Sequence, residues 1–211
     1  MSLAVETISV VRKGRREYLL SLEEMRVFTR RRGEATPDEL WLVEHPPVYT
    51  LGQGAQDVAV GNGIPVVRSD RGGEITYHGP GQIVLYALID LARRGIKVKR
   101  YVWLLEQAVI DLLGGRGERK AGVVGERRAG APGVYVNGAK IAALGIRVSR
   151  GRAYHGLALN VDMDLSPFSA IDPCGYPGLA VTQTKDLGFK QNISQMGDEL
   201  AKNLIKNLEH A

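Results

Sequence analysis

Two segments of the chain set reactive side chains into backbone rich in glycine and proline. The first runs from Arg71 to Gln82 and interleaves Arg71, Glu74, Thr76, Tyr77, His78 and Gln82 with four glycines and a proline. Glycines at that density let a backbone pass close to a ligand, or make a tight turn between strands. The spacing is not that of a phosphate-binding loop and no lysine follows it, so this segment does not imply ATP. The second runs from Ile171 to Gly178 and carries Cys174, the only cysteine, between two prolines and two glycines. An inert core thiol belongs in an apolar periodic stretch, whereas stiff irregular loops position functional groups. A free thiol with a pKa of ~8.5 is only slightly ionised at neutral pH, so a nucleophilic Cys174 needs a partner that favours the thiolate. Lys140, His78 and His155 are the candidates. Their spacing alone does not rank them.

The elements that must hold these groups follow from periodicity. Residues 3–11 alternate with β-branched positions as a strand does, and residues 15–32 place Tyr18, Leu19, Leu22, Met25 and Phe28 near one helical face before Gly33. Residues 40–44 and 48–51 predict strands broken by Pro46 and Pro47, and a glycine-rich loop over 52–63 leads to a further short strand at 64–67. The apolar run 83–91 predicts a buried strand, and 101–113 a helix ended by Gly114 and Gly115. Asn137-Gly138 between 134–136 and 141–148 is a hairpin signal, and a second turn at 149–152 leads into 153–163. Asn192 and Gln195 form a capping-box pattern ahead of a helix with Met196, Leu200, Leu204 and Leu208 on one face. Hairpins with separated helices predict an α+β domain with mixed, largely antiparallel sheets, and residues 1–211 are expected to form a single domain.

Composition narrows the class. At 44% apolar and 24% charged residues the chain can bury an ordinary core. No secretory signal and no long apolar span is read, which predicts a cytoplasmic protein with no membrane attachment. One cysteine permits no internal disulfide and no multi-thiolate zinc site. The formal charge of +5 favours acidic partners. Its basic groups fall in short clusters at 30–32, 93–100 and 116–128, with no RNP stretch or finger spacing, so nucleic acid is not expected.

Six stretches in order between about 40 and 185 resemble the LipB family, the lipoyl(octanoyl) transferases: residues 44–52, 71–82, 131–136, 140–148, 155–161 and 173–175. The first forty residues and the last helix match only in general character. The resemblance implies the α/β scaffold shared with biotin protein ligases and lipoate ligases. It implies that Cys174 accepts the acyl group and Lys140 activates it, and that Arg71, Gly72, Gly73, Glu74, Ile75, Thr76, Tyr77 and His78 form one wall of the acyl pocket. Ala143, Leu144, Gly145, Gly156, Leu157 and Ala158 match its other substrate-contacting segments.

The implied donor is octanoyl-acyl carrier protein, and the implied acceptors are the lipoyl domains of 2-oxoacid dehydrogenase E2 subunits and the glycine cleavage H protein. Thioester to amide runs downhill, so no cofactor or metal is expected. Backbone N–H groups near Gly175 or over Ala143, Leu144 and Gly145 are the expected oxyanion donors. Three other readings compete: an ATP-dependent lipoate or biotin ligase on the same scaffold, a Cys-His hydrolase using His78 or His155, and a non-catalytic basic binding module.

Overall fold

The computed structural model describes residues 7–115, 123–172 and 178–211. Cys174 and Gly175 lie outside the described residues, as do the start of the first expected strand and part of the third basic cluster. In chain order the elements are β1 (Ser9–Arg15), α1 (Tyr18–Arg31), β2 (Glu39–Glu44), β3 (Val48–Leu51), β4 (Val66–Arg68), β5 (Ile75–His78), β6 (Gln82–Asp90), α2 (Val98–Leu113), β7 (Gly133–Val136), β8 (Ala139–Ser149), β9 (Arg152–Asn160), a 3-10 turn (Ser166–Ala170) and α3 (Ile193–Glu209).

Six strands form one sheet in the order β1-β2-β6-β9-β8-β7, and β4-β3-β5 form a second. Among the described strands only β1 with β2 and β3 with β4 pair in parallel, so the architecture is the mixed, largely antiparallel α+β arrangement expected. β6 is buried along its whole length because both faces of the large sheet are covered. Ile83, Leu85, Ala87 and Ile89 enter the core shared with α2 and α3, while Val84, Tyr86 and Leu88 enter the one shared with α1. This is the period-two alternation of a strand with two apolar faces.

The first strand differs from expectation. It extends to Arg15, past a bulge at Gly14 where φ is +65°. Its exposed and half-buried residues are those of an edge strand whose pairing with β2, rather than its own periodicity, sets its limits. β5 falls inside the glycine-rich motif, where periodicity showed no strand, and gains its ladder by pairing with β3. Both hairpins of the β7-β8-β9 meander use two positive-φ residues, Asn137 with Gly138 and Arg150 with Gly151, as two-residue turns of this twist require. The capping box at the start of α3 is present, with Asn192 and Gln195 each accepting the other's backbone N–H.

α1 ends where the chain turns inward at Arg32, whose side chain is fully buried against Asp38, itself fully buried. Arg93 and Arg94 also donate to Asp38, as does the Asp90 backbone N–H. One carboxylate thereby ties the end of α1 to the end of β6. Burial opposes its ionisation, but Arg94, the Asp90 N–H and Arg32 outweigh it and hold the Asp38 pKa below its ordinary value.

Asp38→Ala leaves the buried Arg32 charge without its carboxylate and should cost about 3–5 kcal/mol, measured by urea unfolding at neutral pH. Because the folded pKa lies below the unfolded value of ~3.9, the pair's contribution is complete above that pH and fades as pH falls through the folded value. The wild-type stability should therefore drop more steeply below about pH 4 than that of Asp38→Asn.

Candidate active site

The small sheet and the loop before β5 cover the α1-side face of β6, β9 and β8, leaving a narrow cavity of about 60 Å³ between them. Its walls are mostly apolar: Ile75, Val84, Ile141, Leu144, Leu157, Ala158, Phe168 and Val181 all border it.

Glycines make the loop wall possible. A Cβ on Gly52 would lie 2.1 Å from the Gly73 carbonyl oxygen, and one on Gly145 would lie 2.9 Å from that of Gly72. Residues 71–74 thus pack against the chain after β3 on one side and against β8 on the other, where Gly72 N–H donates to Ile146 (2.9 Å). Arg71 staples this wall. Its guanidinium donates to the Thr50 carbonyl (2.6 Å), the Thr50 hydroxyl (2.8 Å) and the carbonyls of Gly72 (3.0 Å) and Glu74 (2.8 Å).

A buried polar chain runs on from there. His78 lies beside the Thr50 hydroxyl (3.4 Å) and the Gln82 side-chain oxygen (2.7 Å). Gln82 donates to the Tyr77 carbonyl (3.2 Å) and to Asn160 Oδ1 (2.9 Å), and Asn160 donates to the Thr182 carbonyl (3.0 Å). Since the Gln82 amide nitrogen is engaged as a donor, its oxygen accepts from His78 Nδ1–H, leaving Nε2 as the acceptor for Thr50. Burial, reinforced by the neighbouring His45, pushes the His78 pKa down to about 3, so the ring is neutral.

The last link of that chain reaches Lys140. Thr182 N–H donates to the Lys140 carbonyl (3.0 Å), and Lys140 N–H donates to Ala180 (2.8 Å), in a short parallel pairing. Lys140 is buried at 3% exposure, and its ammonium stands 5.4 Å from the centroid of the Tyr135 ring. The segments on either side of residues 173–177 both reach the cavity, through Phe168 before and Val181 after.

His155 borders the cavity further along β9, opposite Ile146 on β8. Its φ of +63° is rare for a residue with a side chain. Nε2 contacts Asp70 (2.8 Å), which also accepts from Tyr154 (2.7 Å) and Arg26 (3.0 Å). Burial opposes the Asp70 charge, but His155, Tyr154 and Arg26 outweigh it and keep the carboxyl well below its ordinary range. An ionised Asp70 only accepts, so Nε2 carries the proton. Burial lowers the His155 pKa despite Asp70, which makes this a neutral imidazole against a carboxylate.

The cavity gathers Lys140 with Arg71, Gly73, Glu74, Ile75, Thr76, His78, Ala143, Leu144, Gly145, Gly156, Leu157 and Ala158. Gly72 and Tyr77 stand behind the wall: Gly72 holds β8, and Tyr77 packs against Tyr49 and Phe168. Sequence reasoning did not single out Tyr18, Val84, Tyr86, Asn160, Phe168 or Val181 as lining residues. Tyr18 and Tyr86 had a signal only as apolar positions of a helix and a strand. Their hydroxyls, on Ser69 (2.6 Å) and His45 (2.7 Å), appear only in three dimensions. Among the described residues no cluster of three or more His, Cys, Asp or Glu could hold a metal ion, and no helix is long and apolar enough to cross a membrane.

Residues 17–205 match the lipoyl protein ligase A/B catalytic domain. The chain is 58% identical over 197 residues to an octanoyltransferase of Aromatoleum aromaticum, covering 90% of this chain and 81% of that one. It is 53% identical over 202 residues to an octanoyltransferase of Dechloromonas aromatica, covering 95% and 96%. Among solved structures, a putative lipoate protein ligase from T. acidophilum with bound lipoic acid superposes with a TM-score of 0.74 at 16% identity, over 95% of this chain and 85% of that one. The biotin protein ligase from Aquifex aeolicus in complex with biotin and ATP gives 0.58 at 10% identity, over 95% and 70%. At those identities the superpositions establish a shared fold. The match over nearly the whole length and the identity to these relatives show that the chain belongs to the lipoyl protein ligase A/B catalytic domain family.

Proposed function

We propose that the chain is an octanoyltransferase, an acyltransferase that moves an octanoyl group from acyl carrier protein to a lysine of a lipoyl domain. The observation that carries this reading is the buried Lys140 at an apolar slot, paired through its own backbone with residues 180–182, a few positions after Cys174 in the sequence. The relatives named octanoyltransferase, at about half identity or more over nearly all of the chain, support it.

In the first step the Cys174 thiolate attacks the donor thioester carbonyl. The carbonyl re-forms as the carrier's thiolate leaves, giving octanoyl-Cys174. In the second, the amine of the acceptor lysine attacks that thioester, its proton passes to a base, and the Cys174 thiolate leaves as the amide forms. Lys140 serves both steps: as an ammonium it stabilises the thiolate, and as a neutral amine it accepts the proton. His78 is less suited to that part, because both ring nitrogens are engaged by Gln82 and Thr50 and the ring stays neutral. The alkyl chain lies along Val84 and Ala158, and the backbone of Ala143, Leu144 and Gly145 borders the same slot as a source of oxyanion donors. The acceptors we assign are the lipoyl domains of 2-oxoacid dehydrogenase E2 subunits and the glycine cleavage H protein.

Incubation with octanoyl-acyl carrier protein, without ATP, should add one octanoyl group by intact mass, and Cys174→Ser should add none. A folded wild-type protein that takes up no acyl group would overturn the reading. Lys140→Ala should slow acylation on the order of 10²–10⁴-fold, as loss of a positioned acid-base group does.

Enlarging Ala158, which borders the slot, to Leu should shift preference toward shorter acyl chains, since each methylene that no longer fits forfeits ~0.8 kcal/mol. Competition between octanoyl and hexanoyl donors measures the shift.

Acyl carrier proteins are acidic, so the +5 chain should meet them faster at low ionic strength. Raising salt should depress use of the carrier-bound donor more than use of a small octanoyl thioester, and equal sensitivity would remove charge steering.

A further inference from the structure

Lys140 rests on a bed formed by β7 and held from α2. β8 carries a bulge directly after it. Tyr135 pairs with Lys140 and Val134 with Ala142, so Ile141 has no opposite residue. Such a bulge re-aims the side chain beside it. Here Lys140 is laid across Gly133. A Cβ on Gly133 would stand 2.5 Å from Lys140 Cε and 3.1 Å from Nζ, and Gly133 itself has a φ of +149° that disfavours any other residue. The Tyr135 ring completes the bed.

Gly133 is held in turn by Glu106 of α2, a carboxylate side chain only 8% exposed within a helix face otherwise made of Tyr101, Leu104, Leu105, Ala108, Val109 and Leu112. Glu106 Oε1 accepts the Gly133 N–H (3.0 Å), and Oε2 accepts from Arg127 Nε (3.1 Å). Arg127 is fixed by the Trp103 carbonyl (3.2 Å), by Gln107 (2.7 Å) and by stacking 4.5 Å over the Trp103 ring. A charged side chain sunk into a helix's core-facing stripe carries a desolvation cost that an apolar residue would avoid. The bond to Gly133 supplies what it does there: it sets the start of β7 at the height over which Lys140 passes.

We propose that Glu106, acting through the Gly133 N–H, is a positioning residue for the Lys140 ammonium, and that Gly133 is its required contact surface. This rests on the reading of Lys140 as the partner of Cys174.

The single cysteine makes the test clean, because alkylation at a thiol, mapped by mass spectrometry, reports Cys174 alone. The rate of iodoacetamide alkylation of the full chain is measured against pH for wild type, Lys140→Ala, Glu106→Ala, Glu106→Gln and Gly133→Ala, with thermal unfolding of each. The wild-type inflection should lie below the ~8.5 of a free thiol. Lys140→Ala should raise it. Glu106→Ala and Gly133→Ala should raise it by on the order of one unit, roughly a tenfold loss of thiolate at lower pH. Glu106→Gln keeps an acceptor for the Gly133 N–H and should restore the wild-type profile. A merely structural part for Glu106 would lower the melting temperature without moving the inflection. Unshifted inflections in folded Glu106→Ala and Gly133→Ala, with Lys140→Ala shifted, overturn the positioning and leave the Lys140–Cys174 pair standing. An unshifted Lys140→Ala overturns that pair and the inference with it. Should Glu106→Ala not fold, Gly133→Ala carries the comparison alone, since it crowds Lys140 without altering α2.

Discussion

The polar chain from Arg71 through Thr50, His78, Gln82 and Asn160 to Thr182 is the constraint on which the site depends. Each of these groups is buried or nearly so, and a buried donor or acceptor left unpaired costs about 1–3 kcal/mol. The chain crosses from the loop before β5, through both sheets, to the segment paired with Lys140, so the apolar walls are spaced by hydrogen bonds. Apolar contact is non-directional and would allow a slot to collapse on itself, whereas a chain of oriented donors fixes the distance between its sides.

The glycines act within the same constraint. Gly52 and Gly145 are places where two backbones meet closer than a methyl group permits, and Arg71 then caps the carbonyls that this approach exposes. His155 illustrates the opposite economy: a residue with a side chain is held at a positive φ, supported by Asp70, Tyr154 and Arg26. Strain of that kind persists where the surroundings over-determine the conformation, and here the surroundings are one end of the cavity.

The shared fold with a lipoate ligase and a biotin ligase locates the chemistry in side chains rather than in the scaffold. Among the described side chains of the slot, the buried Lys140 is the one we assign to the chemistry. The lysine's setting is shaped by three different elements: the bulge in β8, the glycine of β7 and the carboxylate of α2.

Read alone, the sequence determined what depends on near neighbours. The hairpin at Asn137-Gly138, the box at Asn192 and Gln195, the face of α3 and the apolar strand of β6 follow from turn chemistry and from periods of two and 3.6 residues, which act over a few positions. It also marked the motifs around Arg71, Lys140, His155 and Cys174 by their residue types and order. Only the tertiary structure decided that those around Arg71, Lys140 and His155 meet at one cavity. It brought Tyr18, Val84, Asn160 and Val181 into the cavity, made β5 a strand through β3, and turned Tyr77 behind the wall. It also placed Glu106 under Gly133, a pairing of residues 27 positions apart whose spacing carries no local signal. Such contacts depend on how sheets and helices stack, and that is set by the burial of the whole chain at once.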